Sequence, residues 1–228
     1  MIEQAKDLLG KLIAFRTVSS ESNLPLIDFC TDWLSRHGIK SNLLLSADRT
    51  KASLYATIGP NVPGGVILSG HTDVVSTANQ HWSTDPWLLT SRNGRLYGRG
   101  TSDMLGFVGL ILAATPTFVK AGLSRPIHIA LSYDEEVGCK GGRLLIEELR
   151  STLPEPSAVI VGEPTENDVV NGHKSYVELF TSIEGHAVHS SRPDLGASAL
   201  TTAARLVCLL DDIQQENATA LDRHNQRF

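Results

Sequence analysis

Segments with helical and strand-like hydrophobic periods alternate along most of the chain. Apolar residues recur at helical spacing in residues 5–13 and 26–34, which predicts two opening helices. Short apolar runs bounded by Gly, Pro or Asn predict strands at residues 43–45, 54–58, 66–68, 127–133 and 158–161. Helical segments at residues 104–119 and 144–149 separate the later strands. This order predicts an α/β fold with a doubly wound, mostly parallel sheet, in which the apolar runs 66–68 and 158–161 are buried strands.

The hydrophobic period changes near residue 174. Residues 176–184 alternate between two faces, which is typical of a half-buried antiparallel strand, and residues 196–213 form an amphipathic helical pattern. We therefore predict an α/β domain at residues 1–173 and the start of a smaller α+β domain at residues 174–228. One strand and one helix are too few for an independent domain. We expect this second domain to be cut short, or to depend on something the chain lacks.

Composition and charge narrow the class of protein. The 228 residues have a net charge of −5, so there is no basic excess for binding nucleic acid. No apolar run is long enough to span a membrane, and charged residues interrupt the start of the chain, where a leader would be apolar. Three cysteines without a Cys-x-x-Cys spacing favour neither a disulfide framework nor a thiolate zinc site. We expect a soluble, cytoplasmic protein with reduced thiols.

Polar turns follow the predicted strands, and ligands bind outside the carboxyl ends of strands in open α/β sheets. The turns contain one imidazole and several carboxylates, which together predict a metal site. The candidate residues are His71 and Asp73 after the strand at 66–68, Asp103 in a glycine-rich turn, Glu135 and Glu136 after the strand at 127–133, and Glu163 after the strand at 158–161.

Each candidate also has a plainer interpretation. A His-x-Asp pair arises by chance, although residues two apart at a strand end face the same side, so that Asp73 could orient the ring of His71. Asp103 could cap the following helix, and Glu163 could be an exposed turn acid before Pro164. Glu135 and its neighbour Glu136 could be solvated loop acids, although adjacent carboxylates repel and a nearby cation would relieve the repulsion.

The motifs together resemble a known family, the co-catalytic zinc amidohydrolases and exopeptidases. They read LSGHTDVV at 68–75, GRG at 98–100 with DM at 103–104, YDEEVGC at 133–139, GEPT at 162–165 and HSS at 189–191. Members include acetylornithine deacetylase, succinyl-diaminopimelate desuccinylase, aminoacylase and carboxypeptidase G. Residues 133–139 and the NGHK at 171–174 look most like acetylornithine deacetylase. The resemblance implies a zinc exopeptidase-like fold and hydrolysis of an N-acyl amino acid, such as N-acetylornithine in arginine biosynthesis.

The resemblance also implies a role for each candidate residue. Asp103 would bridge two zinc ions, for which Co²⁺ is a possible substitute. His71 and Glu163 would bind the first ion, and Glu136 the second. Glu135 would be the general base and acid, accepting a proton from the water between the ions and passing it to the departing amine.

A lid and dimerisation domain is implied as well. There His189 would reach the active site of a partner in a homodimer and stabilise the oxyanion, although its plainer interpretation is a polar residue that opens the following helix. Departures from the family pattern are Ser76 in place of proline and Leu105 in place of lysine. The family's second zinc also takes a histidine near the end of a longer chain, and His224 has no family motif around it.

Two hypotheses follow. The first is an acetylornithine-deacetylase-like enzyme of which this sequence is a fragment, with another amidohydrolase or peptidase of the family as its rival. The second is a truncated, inactive product that binds at most one metal ion or a partner chain. In both cases we expect the 228-residue chain alone to hydrolyse N-acetylornithine poorly.

Overall fold

The computed structural model describes residues 1–172 and 177–220 of the chain. These residues belong to two compact units, a first unit at Met1–Val170 and a second unit at Asn171–Phe228. The domain boundary predicted between residues 173 and 174 lies outside the described residues. None of the described helices has both the length and the apolar character needed to cross a bilayer.

The strands of the first unit form a mixed sheet and a short hairpin. They are β1 (Ser41–Leu45), β2 (Ala52–Ile58), β3 (Val66–His71), β4 (Thr90–Arg92), β5 (Arg95–Tyr97), β6 (Ile127–Ser132) and β7 (Ala158–Val161). The sheet has the order β1-β2-β6-β3-β7, and β4 pairs with β5 separately. β3 is parallel to both β6 and β7, whereas β2 is antiparallel to β1 and to β6. The predicted parallel arrangement therefore holds for β6, β3 and β7, and the sheet as a whole is mixed.

Helices cover both faces of this sheet, as predicted for a doubly wound fold. They are α1 (Ile2–Ala14), α2 (Leu24–Arg36), α3 (Leu105–Lys120) and α4 (Lys140–Thr152). Successive strand residues point to opposite faces. Accordingly, Leu54 and Ile129 pack into the main core with α1, α2 and α3, whereas Tyr55 and Ala130 pack with Leu145 of α4. Burial of each large apolar side chain contributes about 1.5–3 kcal/mol, and this core fixes the strand ends that form the site.

Helix α3 continues through Pro116, which has no N–H to donate to the carbonyl of Leu112 four residues earlier. The indole Nε1 of Trp33, in α2, donates to that carbonyl over 2.8 Å. An unpaired carbonyl in the core would be costly. The Trp33 side chain thus replaces the missing backbone donor and ties α2 to α3.

The predicted turn at Asn93 and Gly94 joins β4 to β5 within the long connection between β3 and α3. Both residues have positive φ angles, +54° and +72°. This is the conformation of a type I′ hairpin turn, which Asn-Gly favours. The turn prediction is therefore confirmed.

The prediction that β7 is buried is wrong. Its residues Val159, Ile160 and Val161 are 53%, 49% and 56% exposed. Within residues 1–172 and 177–220, β7 lies at the edge of the sheet and pairs on one side only, with β3. The apolar run correctly predicted the strand. Burial of a strand depends on the elements that cover its two faces, and the run itself contains no information about them.

The predicted strand at residues 176–184 is not observed in its described part, residues 177–184. Leu179 and Phe180, expected on its two faces, are 83% and 89% exposed. Alternation alone does not make a strand, because its N–H and C=O groups need a neighbouring strand. The predicted helix is present as α5 (Ala199–Thr219), capped by Ser198, whose hydroxyl accepts the N–H of Thr201 over 3.1 Å.

Candidate metal centre

The parallel strands bring the predicted site residues to one edge of the sheet. His71 is the last residue of β3, Glu135 and Glu136 follow the end of β6, and Glu163 follows the end of β7. Because β6, β3 and β7 run in the same direction, their carboxyl ends meet at this edge. Asp103 reaches the same place from the loop before α3.

Two groups of side chains here could hold a metal ion. One consists of His71, Asp103 and Glu163, the other of His71, Glu135 and Glu136, and within each group the donor atoms lie within 4.8 Å of one another. His71 Nε2 is 2.9 Å from Asp103 Oδ1, 3.8 Å from Glu163 Oε1 and 3.9 Å from Glu135 Oε2. A tetrahedral zinc ion with bonds of about 2.0–2.1 Å needs its ligand atoms about 3.4 Å apart. Small movements of these side chains would therefore bring their donor atoms to the spacing that a zinc ion needs.

The backbone beside His71 is fixed by buried hydrogen bonds. The neighbouring Thr72 is fully buried, and its N–H and hydroxyl both donate to the carbonyl of Ser132, each over 2.9 Å. Asn23 donates to the Thr72 hydroxyl over 2.9 Å. His71 Nδ1 lies 2.8 Å from the backbone oxygen of Asp73. If Nδ1 donates its proton there, Nε2 is the nitrogen available to an ion.

The charges of the site favour a cation. Burial lowers the pKa of His71, but its contacts with Asp73 and Asp103 outweigh that effect and raise the pKa to about 9. Burial, followed by the negative charge of Asp103, raises the pKa of both Glu136 and Glu163. Carboxylates that raise one another's pKa are stabilised in their charged form by a nearby cation. One imidazole with several carboxylates is also a donor set typical of zinc.

Asp73 does more than the predicted orientation of the His71 ring. Its Oδ1 is 3.6 Å from His71 Nδ1, and the direct bond to the ring comes from its backbone oxygen. The buried carboxylate instead accepts the N–H groups of Glu135 and Glu136, over 3.0 and 3.3 Å, and the hydroxyl of Ser19, over 2.7 Å. Asp73 thus links the end of β3 to the turn after β6.

The plainer interpretations of Asp103 and Glu163 are not supported by their surroundings. The N-cap residue of α3 is Met104, without a side-chain cap, and the Asp103 carboxylate contacts His71 instead. The peptide bond between Asp103 and Met104 is cis. Glu163 is partly buried beside His71, with its side chain 38% exposed. The preceding Gly162 lies so close to Phe107 that a Cβ there would be 2.0 Å from the ring.

His189 lies in the second unit, on an exposed turn well before α5. Its Nδ1 accepts the N–H of Ser191 over 3.2 Å and lies 2.9 Å from the Ser191 hydroxyl. A neutral ring with that acceptor has its proton on Nε2. Because Ser198 caps α5, the plainer interpretation of His189 as the residue opening this helix is wrong.

Ser19, Lys51 and Asp134 also shape the site, and the sequence analysis assigned no role to any of them. Lys51 Nζ donates to the carboxylate of Asp134 and to the backbone oxygen of Ser19. Asp134 was visible as the start of the acidic turn. No local pattern marks Lys51 or Ser19, which lie 83 residues from Asp134 and 54 residues from Asp73, respectively.

Residues 67–220 match the family model described as Peptidase family M20/M25/M40, and this range includes every candidate ligand. The acetylornithine deacetylase of Pasteurella multocida (strain Pm70) is 34% identical over 220 residues, which cover 92% of this chain and 56% of that protein. The chain therefore spans about half the length of this curated relative.

Solved structures have a similar fold. The M20 family metallo-carboxypeptidase Sso-CP2 from Sulfolobus solfataricus has a TM-score of 0.60 at 23% identity, over 68% of this chain and 36% of that one. A tripeptidase from Staphylococcus aureus has a TM-score of 0.57 at 16% identity, over 90% of this chain and 56% of that one. At such identities the likeness is evidence of the fold alone.

Proposed function

The chain belongs to Peptidase family M20/M25/M40, and we propose that it contains the metal centre of an enzyme that hydrolyses the amide bond of an N-acylated amino acid. Its membership confirms the family predicted from the motifs and supports the proposal of a hydrolase that binds divalent metal. The observation that supports the proposal most directly is the convergence of His71, Asp103, Glu135, Glu136 and Glu163 within two overlapping ligand groups.

We assign the metal ligands from the family resemblance, with which the geometry of His71, Asp103 and Glu163 agrees. Asp103, closest to His71 Nε2, would lie between two zinc ions, with His71 and Glu163 on one side and Glu136 on the other. When bound, zinc lowers the pKa of water and polarises an amide carbonyl. Co²⁺ has similar ligand preferences and is a suitable substitute for experiments.

Glu135 is the group that would move protons. Its backbone N–H is held by Asp73, while its side chain is 40% exposed and can reach a substrate. It would accept a proton from the attacking water and pass it to the departing amine. Glu136, on the same turn, would instead bind metal. The two adjacent carboxylates therefore have different tasks.

N-acetylornithine is the proposed substrate, which would place the enzyme in arginine biosynthesis and in the cytoplasm. The support is the 34% identity to an acetylornithine deacetylase. Another amidohydrolase or peptidase activity of the family is the alternative, which the description of the matching family as a peptidase family supports. Hydrolysis of N-acetylornithine, N-succinyl-diaminopimelate and a dipeptide under one set of conditions would separate these activities.

His189 would stabilise the oxyanion of a partner's substrate in a homodimer. Support comes from its hydrogen bond, because an Nδ1 that accepts the N–H of Ser191 leaves Nε2 as the nitrogen that could donate to a developing negative charge. His189→Ala should then lower turnover without changing zinc content. Equal losses of zinc and turnover would contradict this role.

Metal content tests the proposal as a whole. Among the described residues, both ligand groups use the same imidazole, His71, and one Nε2 cannot bind two ions. We therefore expect the 228-residue chain to retain nearer one zinc ion than two after dialysis, and to hydrolyse N-acetylornithine poorly. The measurement is metal analysis alongside the substrate panel. Failure to retain any zinc would contradict the proposed function, and two firmly held ions would contradict the ligand assignment.

A further inference from the structure

The turn that contains Glu135 and Glu136 is held from two directions. From β3, the Asp73 carboxylate accepts both of their backbone N–H groups. From the start of β2, Lys51 binds the carboxylate of Asp134, the residue directly before Glu135. Asp73 also contacts the His71 ring through its backbone oxygen, so a change at Asp73 would disturb both ligand groups. The second contact involves the turn without involving the imidazole.

Lys51 is unusually enclosed for a lysine. Its side chain is 14% exposed, and that of its partner Asp134 is 8% exposed. The ammonium group bridges the Asp134 carboxylate and the backbone oxygen of Ser19, so it joins two segments that are distant in sequence. Lysines are rarely buried unless paired. Such a pair fixes geometry strongly, because either charge left alone in that environment is costly.

Asp134 has a backbone conformation that needs such support. Its φ angle is +56°, in the left-handed region, which glycine adopts freely and aspartate only occasionally, at some cost. This bend directs the chain from β6 into the turn, where Glu135 follows at once. A residue held in an unfavourable conformation persists only when its surroundings fix it. Here the Lys51 ammonium is the group that holds the Asp134 side chain.

We propose that Lys51, by holding Asp134 against the Ser19 backbone, positions the turn of Glu135 and Glu136 and so determines how well the protein holds an ion at their ligand group. Lys51 is a positioning residue, because its ammonium group binds Asp134 and the Ser19 backbone and would act on the site only through them. None of His71, Asp103 and Glu163 lies on this turn, so we expect their group to be affected less. The effect of Lys51 on metal binding rests on the proposed function, whereas its effect on the turn does not.

The test compares four forms of the 228-residue protein. Lys51→Met keeps most of the side-chain volume and removes the charge. Lys51→Met combined with Asp134→Asn removes both charges, so that neither is left unpaired if the single variant fails to fold. Lys6→Met is the matched control, because Lys6 forms an exposed ion pair with Glu3, with the two side chains 42% and 83% exposed. Wild type is the reference.

Hydrogen–deuterium exchange of the metal-free proteins tests the positioning itself. We expect amides of residues 135–139 to exchange about 10-fold faster in Lys51→Met and in the double variant, with β2 and β6 unchanged. The control should match wild type. Faster exchange throughout β2 and β6 would mean that Lys51 only stabilises the fold, and wild-type exchange in the double variant would mean that the pair only balances charge. Either result would overturn the proposal.

Zinc titration by calorimetry tests whether the position of the turn affects metal binding. Loss of a group that supports a ligand typically weakens metal binding about 10- to 100-fold, and we expect that loss for the weaker ion, with the tighter ion within about 3-fold of wild type. Equal weakening of both ions, or of neither, would overturn the metal part of the proposal. If wild type itself binds no zinc, the proposed function fails, and the exchange result alone decides whether Lys51 positions the turn.

Discussion

The carboxyl edge of the sheet and its interior each contain a buried histidine, and the two rings differ in almost every other respect. His71, at the end of β3, is 2% exposed, and His128, near the start of the parallel neighbour β6, is 1% exposed. The carboxylates around His71 raise its pKa to about 9. Burial lowers the pKa of His128. Burial alone therefore does not decide whether a ring is charged.

The hydrogen bonds of the two rings explain this difference. His128 Nδ1 lies 2.9 Å from the hydroxyl of Thr57, and its Nε2 is buried without a partner among the described residues. His71 has an oxygen within 3 Å of each ring nitrogen. A ring between two oxygen acceptors is a good proton or metal site, whereas a ring with one neutral partner is a packing residue. The histidine at the sheet edge is therefore suited to bind a proton or a metal ion, and the histidine in the interior is not.

Neutralising a carboxylate at the carboxyl edge of the sheet should have the largest effect, on turnover or on zinc binding. We expect Glu135→Gln to lower turnover about 10²- to 10⁴-fold with zinc retained, because the amide keeps the shape but cannot accept a proton. Glu136→Gln should lose zinc instead. Both are measured on a form of the protein that turns over substrate, by steady-state kinetics with metal analysis. Equal loss of zinc from both variants would refute the division of tasks.

Asp73→Ala should be the most destabilising change at the edge. It leaves the Ser19 hydroxyl and the Glu135 and Glu136 amides without their acceptor, and loss of a buried charged partner costs about 3–5 kcal/mol. Urea unfolding of the metal-free protein measures this cost. The control is Asp85→Ala, where an exposed carboxylate accepts one N–H and about 1 kcal/mol is expected. Similar costs for the two variants would contradict the linking role of Asp73.

Gly162→Ala should disturb the edge through packing. The new Cβ would lie 2.0 Å from the Phe107 ring, and overpacking of this kind costs about 1–3 kcal/mol. Zinc binding through Glu163 should weaken with it. Gly142→Ala, inside α4, meets only Cys139 at 3.9 Å and should stabilise by about 0.5–1 kcal/mol. Thermal unfolding of the pair would show opposite signs, and destabilisation by both would contradict this account.

Replacing His128 in the interior of the sheet should have the smallest effect, a change in how the free energy of unfolding depends on pH. Because the folded pKa of His128 is below 6.5, the unfolded chain binds more protons at acidic pH, and stability falls as pH drops below 6.5. His128→Gln should reduce that slope by at most about 1.4 kcal/mol per pH unit. In the metal-free protein His71 acts oppositely, since its stabilisation is full below 6.5 and is lost as pH rises through about 9. An unchanged slope in the variant would contradict the role of His128.

The strands and the site residues at their ends were predictable from the sequence. Short apolar runs marked β3, β6 and β7, and the polar residues that follow them lie together because parallel strands end at one edge. The family follows from the same motifs. The direction of each strand relative to its neighbours was harder to predict, because an apolar run looks the same whether the strand pairs in parallel or antiparallel. The antiparallel pairing of β2 with β6 had no local signal.

The residues that hold the site residues in place could not be predicted from local patterns. Lys51 and Ser19 reach Asp134 and Asp73 only through the register of strands that are far apart in sequence. The same limitation explains the error at residues 177–184, where the alternation is real but no partner strand pairs with it in the described part of the chain. Local patterns specify an element's type and its polar face, whereas pairing and support depend on neighbours.

The bond from Trp33 to the carbonyl of Leu112 has an evolutionary consequence. While residue 116 is proline, a change of Trp33 to phenylalanine leaves a carbonyl without its donor and is selected against. Once residue 116 becomes alanine, the helix supplies its own N–H and position 33 is free to vary. We therefore expect epistasis between the two positions, so that the order of the substitutions decides which of them the fold accepts.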